Sequence, residues 1–507
     1  MSKEVLLIRA DARVSIGTGH IMRMIALGQA WQAQGGEVHF ICAEITPALE
    51  QRLESEGFHL LRIDATLGSP EDLSATMRLI SETLQADRQN ARVVLDGYHF
   101  GSDYQLGIKA AGFKLLVVDD YGHADFYHAD WVLNQNISAR EELYARRAPH
   151  TRLLLGTKFA LVRREFLKYR GWQRQIPEIP RKVLVTLGGA DPDNVTGKVI
   201  EALAPLDIEV KVVVGGSNPH LPDLQRAFEG LKTQPAKIEL IVNPTDMPGL
   251  TAWADLAIAA GGSTAWELAF MGLPSIFVIL AENQVGIATG LKSAGFGVCL
   301  GRGADFDKGE LQIALRRVLE NPAERHRTSI AGRNLLDGMG CHRTVCQLNQ
   351  TSPLCLRPVS YSDIELLWEW ANDPVTRQNS FDSAKIPWEE HSAWCQKKLS
   401  EAGCRLWIAS NGGNAPVGCV RFDGKESEAT ISLTVAPNAR GKGYGTKIIQ
   451  QSCDRLFAES PFRLVHAYIK PENIASVKVF EAAGFRYDSD AVCKQKTGRH
   501  YTLRAKS

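Results

Sequence analysis

A histidine heads a helix in the run Gly17-Thr18-Gly19-His20-Ile21-Met22-Arg23. A short apolar run, Val5 to Ile8, and Arg9-Ala10-Asp11 come before it. The apolar-periodic run Ile21 to Trp31 follows and stops at Gly35-Gly36. That order reads as strand, glycine turn and helix with a glycine end signal. Backbone N–H groups and the positive end of a helix dipole meet at such a turn and can hold an anion. Imidazole is the side chain that exchanges a proton near neutral pH. One turn therefore offers a phosphate cradle and a general base, His20. Gly-x-Gly before a helix is common, and a histidine there also serves as a cap, so the rest of the chain has to decide.

The elements that must position this turn alternate between β-rich and helical. Val38 to Cys42, Val93 to Asp96 and Leu115 to Asp119 read as parallel strands buried on both faces. The pattern predicts a doubly wound α/β domain, in which ligands sit beyond the strand C-termini. Arg9, Asp11, Asp96, Tyr98, Asp119, Asp120 and Tyr121 cluster at those ends, although strand-end carboxylates also cap helices or shape turns. Two prolines in Gln173 to Arg181 mark a hinge. The alternation restarts with Val183 to Leu187, Val210 to Val214, Ile238 to Val242, Leu256 to Ala259 and Ser275 to Ile279. Gly188-Gly189-Ala190-Asp191-Pro192-Asp193-Asn194 ends the first of these runs and Gly261-Gly262-Ser263-Thr264-x-x-Glu267 the fourth. Two glycines admit a ligand close to the backbone, Ser263 and Thr264 add hydroxyls, and Glu267 reaches a ribose diol. A capping box with Glu267 explains the same residues without a ligand. Asn283 and Gln284 form a polar patch at a further strand end. Two such halves facing a cleft suit a nucleotide-diphosphate sugar.

Length and composition bound the answer. The chain has 507 residues, 44% apolar and 23% charged, with net charge +1. That predicts about three domains of a soluble globular protein. It gives no electrostatic case for nucleic acid or an anionic membrane as partner. The ten cysteines form no C-x-x-C pair, so reduced, buried thiols are expected. No signal-peptide core or run of ~18 apolar residues is visible, which makes cytoplasm the default. Oligomeric state is not readable.

The first ~345 residues resemble the UDP-sugar hydrolase family of pseudaminic acid biosynthesis. The resemblance rests on Arg9-Ala10-Asp11, Gly17-x-Gly19-His20-x-x-Arg23, Leu153-Leu154-Leu155-Gly156-x-x-Phe159-Ala160-Leu161 and Gly188-Gly189-x-Asp191-Pro192-x-Asn194. Gly261-Gly262-Ser263-Thr264-x-x-Glu267 and Asn283-Gln284 complete it. It implies a fold of two Rossmann-like domains (GT-B type), here 1–172 and 173–346. It also implies metal-free, inverting hydrolysis at the anomeric carbon of UDP-2,4-diacetamido-2,4,6-trideoxy-β-L-altropyranose. His20 is then the base on water. The expected substrate contacts are Arg13, Gly17, Gly19, Asp96, Tyr98, Gly189, Asn194, Gly261, Gly262, Ser263, Thr264, Glu267, Asn283 and Gln284.

A linker is expected over 347–355, where the composition turns polar with two prolines nearby, and an α+β pattern follows over 356–507. The strand Thr430 to Val435 leads into Arg440-Gly441-Lys442-Gly443-Tyr444-Gly445-Thr446. Successive N–H groups there form a concavity for a pyrophosphate. With Trp370-Ala371-Asn372, Val375-x-Arg377, His391, Trp394 and Asn473-x-x-Ser476-x-x-x-Phe480-x-x-x-Gly484-Phe485, this stretch is similar to the GNAT family of N-acetyltransferases. That resemblance implies acetyl-CoA as cosubstrate, with no tightly bound cofactor. Val435, Arg440, Gly441, Lys442, Gly443, Tyr444, Gly445, Thr446 and Asn473 would bind it. Phe480 departs from the Tyr that many relatives use to protonate the thiolate. Tyr444, Tyr468 or water are substitutes; Glu390, His391 and His466 are candidate bases. Acetylation of a 4-amino UDP-sugar just before UDP removal joins the two parts. A GT-B glycosyltransferase using a UDP-amino-sugar, or a UDP-sugar-binding module with a degenerate transferase, are the other readings.

Overall fold

The computed structural model describes residues 4–505 apart from 14–16, 85–89, 190, 217, 231–233, 306, 350–353, 402, 412–414 and 494–495. Ala190 of the first diphosphate turn and part of the expected linker thus lie outside the described residues. The chain forms two compact units, 1–348 and 349–507.

The first unit holds two parallel sheets. The first contains β1 (Val5–Ala10), β2 (Glu37–Cys42), β3 (His59–Arg62), β4 (Ala91–Asp96), β5 (Lys114–Val118), β6 (Trp131–Asn134) and β7 (Arg152–Leu155), in the order β3-β2-β1-β4-β5-β6-β7. The second contains β8 (Lys182–Thr186), β9 (Glu209–Val214), β10 (Lys237–Val242), β11 (Leu256–Ala260), β12 (Ser275–Ile279) and β13 (Val298–Arg302), in the order β10-β9-β8-β11-β12-β13. β1, β4 and β11 are buried along nearly their whole length, as strands covered by helices on both faces must be. The expected doubly wound halves are present. The helix Gly340–Leu348 packs on the helix Gly19–Gln32 of the first sheet. A side chain at Gly340 would strike the Ala160 carbonyl at 2.1 Å, so only glycine permits that approach.

The second unit is one sheet of β14 (Leu354–Pro358), β15 (Cys404–Asn411), β16 (Pro416–Lys425), β17 (Glu428–Val435), β18 (Leu464–Ile469), β19 (Arg486–Cys493) and β20 (Lys496–Arg504), in the order β14-β15-β16-β17-β18-β20-β19. All pairs are antiparallel except β17 with β18. Its core includes Ile408, Val420, Phe422, Ile448 and Val465. Among the described residues eight cysteines are free, whereas Cys346 is disulfide-bonded. The expectation of uniformly reduced thiols fails at Cys346.

Charge is buried at the C-terminal end of β1. Arg9 is fully enclosed; its guanidinium donates to Asp11 at 2.5 Å and to Asp72 at 3.1 and 2.7 Å. Tyr104 adds a hydrogen bond to Asp72 at 2.8 Å. Burial opposes the charge on Arg9, but the two carboxylates outweigh it and raise its pKa. Removing one partner of such a group leaves uncompensated buried charge, at ~3–5 kcal/mol. Arg9→Met is therefore expected to destabilise the first unit by about that amount, read as a lower urea midpoint of its unfolding transition.

Candidate functional site

Strand order reverses direction on either side of β1, so the β1 and β4 ends open a crevice. β1 leads to the His20 turn, and β4 ends on Asp96, two residues before Tyr98. His20 is buried on the first turn of the helix Gly19–Gln32. Its Nδ1 lies 2.5 Å from Asp96 Oδ1. Arg23, one turn further on, donates Nε to Asp96 Oδ2 at 2.7 Å and Nη2 to Oδ1 at 2.6 Å. Its Nη1 reaches both oxygens of Asp120 at 2.9 Å. Asp120 also accepts from the Tyr98 hydroxyl at 2.5 Å and from Asn136 Nδ2 at 2.8 Å.

This network fixes protonation as well as position. Burial alone drives the Asp96 pKa up. The charges of Arg23 and His20 more than reverse that, and it falls to about 2. Burial and then Asp120 push the Tyr98 hydroxyl far above its ordinary range. Asp96 is thus a carboxylate at any working pH, and it holds the Nδ1 edge of the imidazole. The other ring nitrogen, Nε2, remains for the cavity of about 800 Å³ that His20 lines with Asp11, Arg13, Asp64, Tyr98 and His99.

The second sheet repeats the logic. Its order reverses around β8, and the β8 and β11 ends carry the two glycine turns. These turns meet the His20 turn: a Cβ on Gly19 would lie 3.6 Å from Ser263 Oγ, and one on Gly189 would lie 3.1 Å from Thr18 Cγ2. Asn283 Nδ2 donates to the Tyr98 hydroxyl at 2.8 Å, joining the halves directly. Gln284 Oε1 accepts from Leu280 N at 2.9 Å, and its Nε2 faces Gly262, 3.7 Å from a Cβ placed there. Gly17 has φ +81°, a conformation that suits glycine, and Arg13 is half-exposed with its Nη1 3.2 Å from Glu44.

Some expected residues have other duties. Asn194 caps the helix Val195–Leu203, accepting from Gly197 N at 3.3 Å. Glu267 is buried, and both its oxygens accept from Arg163, at 2.6 and 2.8 Å. Ser263 makes no side-chain cap bond, so the capping-box alternative does not form. Arg163 and Asn136 were missed by sequence reasoning: each meets its partner only through the fold, Arg163 across 104 positions and Asn136 across 16.

In the second unit, β17 and β18 pair only over Glu428–Thr430 and Leu464–His466, and the remainder of β17 is unpaired on that side. Below the split come Gly441 (φ +73°) and Gly443 (φ +77°), then the helix Tyr444–Glu459. Gly445 is buried in that helix. Lys442 is exposed. Arg440 is held by Asp373 at 2.5 Å and Thr376 at 2.9 Å. Asn473 caps the helix Ile474–Ala482, accepting from Ser476 N at 3.1 Å. Phe480 is buried edge-on to Phe485, with ring centroids 5.1 Å apart. His391 is buried, its Nε2 3.4 Å from Cys395 Sγ; burial and Arg377 lower its pKa. His466 lies between Glu428 at 3.1 Å and His500 at 2.9 Å.

Residues 183–334 match the glycosyltransferase family 28 C-terminal domain, and residues 353–486 match the acetyltransferase (GNAT) domain. The chain joins a glycosyltransferase-like unit to a GNAT domain. It is 22% identical to protein MJ1062 of Methanocaldococcus jannaschii over 97% of both chains. It is 26% identical to the spore coat polysaccharide biosynthesis protein SpsG of Bacillus subtilis, over 46% of this chain and 69% of that one. The pseudaminic acid cytidylyltransferase and UDP-2,4-diacetamido-2,4,6-trideoxy-β-L-altropyranose hydrolase of Helicobacter pylori is also 26% identical, over 45% of this chain and 42% of its own. A spermidine N-acetyltransferase from Vibrio cholerae, solved with CoA and spermine, aligns with 30% of this chain and 96% of its own at 17% identity and TM-score 0.29. No helix among the described residues is long and apolar enough to cross a membrane.

Asp96 makes the glycosyltransferase-like unit sensitive to acid. Its pKa is depressed on folding, from 3.8 to about 2, so the stabilisation is complete above pH ~4 and is lost as pH falls through about 2. Asp96→Asn removes that dependence. Its thermal midpoint is expected to drop less than the wild type's between pH 5 and pH 2.5, measured by scanning calorimetry.

Proposed function

We propose that the glycosyltransferase-like unit hydrolyses UDP-2,4-diacetamido-2,4,6-trideoxy-β-L-altropyranose to UDP and the free sugar, and that the GNAT domain acetylates its 4-amino precursor from acetyl-CoA. The observation that carries the first part is the imidazole of His20, held at Nδ1 by Asp96 with Nε2 left for the cavity. In this reading Nε2 takes a proton from a water molecule, and the water oxygen bonds to the anomeric carbon from the face opposite the UDP. The anomeric C–O bond breaks and its electron pair leaves on the diphosphate. Ionised Asp96 stabilises the imidazolium that forms.

Backbone amides around Gly188-Gly189 and Gly262 to Thr264 would take the developing phosphate charge, the Gly261 N–H being committed to the Val278 carbonyl at 3.1 Å. Tyr98, Asn283, Gln284 and Arg13 would orient the sugar. Glu267, already clamped by Arg163, would offer its remaining lone pairs to the ribose, and Asn194 would act through the helix it caps. The similarity to the H. pylori enzyme supports the substrate, and the cytoplasm is the compartment that fits a UDP-sugar.

For the GNAT domain, the amine nitrogen bonds to the thioester carbonyl carbon while the Val435 backbone polarises that carbonyl, the nitrogen gives its proton to water, and the C–S bond breaks with its electron pair leaving on CoA as thiolate, without an acyl-enzyme. The amides of Gly441 to Thr446 would hold the pyrophosphate. Phe480 lies in the core and has no hydroxyl, so the thiolate proton comes from Tyr444, at the start of the helix, or from water.

His20→Asn keeps the fold and the UDP cradle but removes the base. UDP release should fall 10²–10⁴-fold while UDP affinity, by calorimetry, changes less than about threefold. Turnover within about tenfold of wild type would sink the base assignment. Separately, acetyl-CoA with the UDP-4-amino sugar should yield CoA, UDP and the free diacetamido sugar by mass spectrometry. CoA without UDP would overturn the hydrolase half alone.

A further inference from the structure

The first sheet carries a cluster of metal-ligating side chains away from the cleft. β2 and β3 are parallel, and His39 is paired in register with His59. Glu37, two residues before His39, points to the same face. His39 Nε2 lies 3.0 Å from Glu37 Oε1, and His59 Nε2 lies 3.4 Å from the same oxygen. The two imidazoles stack with centroids 4.6 Å apart and planes 24° apart. We propose that Glu37, His39 and His59 bind a divalent transition metal of the zinc class at this sheet edge.

The geometry supports a cation. Three donors around a tetrahedral Zn²⁺ at about 2.0–2.1 Å stand ~3.3 Å from one another. One donor atom from each of these residues lies within 4.8 Å of the others, and among the described residues this is the one group of three such side chains. Two imidazoles and one carboxylate select zinc, nickel or copper over magnesium or calcium. The side chain of His59 is 58% exposed, which leaves water access to the remaining coordination position. β3 is the edge strand, and a shared ion would staple it to β2. The cluster begins at the N-terminal end of β2, whereas the His20 cavity lies beyond the C-terminal ends of the strands. The site is therefore structural rather than catalytic. Without an ion, the His39 Nε2–H donates to Glu37 Oε1, and His59 Nε2 stands 3.4 Å from the same oxygen.

The full-length protein, stripped with chelator, would be titrated with ZnSO4 by calorimetry beside His59→Gln and Glu37→Gln. His59 is exposed, so its replacement leaves the fold intact. The wild type is expected to bind one equivalent that both variants lose or hold at least tenfold more weakly. Zn²⁺ should raise the thermal midpoint of the wild type alone, and bound Co²⁺ should give tetrahedral d–d absorption in the wild type alone. Equal uptake by wild type and His59→Gln, or no uptake by wild type, overturns the proposal and leaves the hydrogen-bonded cluster.

Discussion

Arg23 is the group on which the cleft of the first unit depends. It is buried, and it reaches two carboxylates that come from different strand ends. Each of these charges alone would be intolerable there, because an unpaired ion in a low-dielectric interior costs several kcal/mol. Together they are stable only in one arrangement. Asp96 faces the imidazole, Asp120 faces Tyr98, and the guanidinium lies between them. The side chain that would do the chemistry is therefore placed by the need to neutralise its neighbours. Tyr98 then carries the constraint across the cleft to Asn283.

The sheets explain why these groups meet. In a parallel doubly wound sheet, neighbouring strands deliver their following loops to opposite faces where the order reverses, and a crevice opens between them. β1 with β4, and β8 with β11, occupy those places. Gly17 (φ +81°) and Gly188 (φ +84°) adopt the left-handed backbone that these turns require and glycine supplies. A Cβ on Gly261 would meet Ala288 at 3.0 Å, and its N–H donates to the Val278 carbonyl at 3.1 Å, so this glycine is packed into the sheet end.

The strand–turn–helix at His20, both glycine turns and most strands of the first unit were legible, because they depend on local pattern. The short strands β3, β6, β7 and β13 were not read: the first three have four residues each and the fourth contains Gly301, too little pattern to stand out. Side-chain partners were harder still. Glu267 looked like a free ribose acceptor, since nothing near it in sequence announces Arg163. Asn194 sits in a glycine-rich turn and reads as a ligand contact, yet its αL backbone (φ 48°) places its side chain to cap the following helix. The stacked His39 and His59 became visible only when the register of β2 and β3 was known. Local propensity is written along the chain, whereas a salt bridge across 104 positions is a property of the fold.

The second unit reaches a similar end by other means. Its polar side chains at the cosubstrate loop are largely committed: Arg440 to Asp373 and Asn473 to its own helix. What remains for a ligand is backbone, at a strand released from its neighbour after Thr430 and a loop with two residues at positive φ. Backbone donors need glycine and an interrupted ladder, and both are features that sequence displays. This is why the glycine loop before the helix Tyr444–Glu459 stands out in the sequence. In one unit a parallel sheet changes direction; in the other a strand pair parts. In the first unit β1 and β8 stay paired on both sides and the crevice comes from where the following loops go, whereas in the second the backbone of β17 beyond Thr430 leaves the ladder with β18.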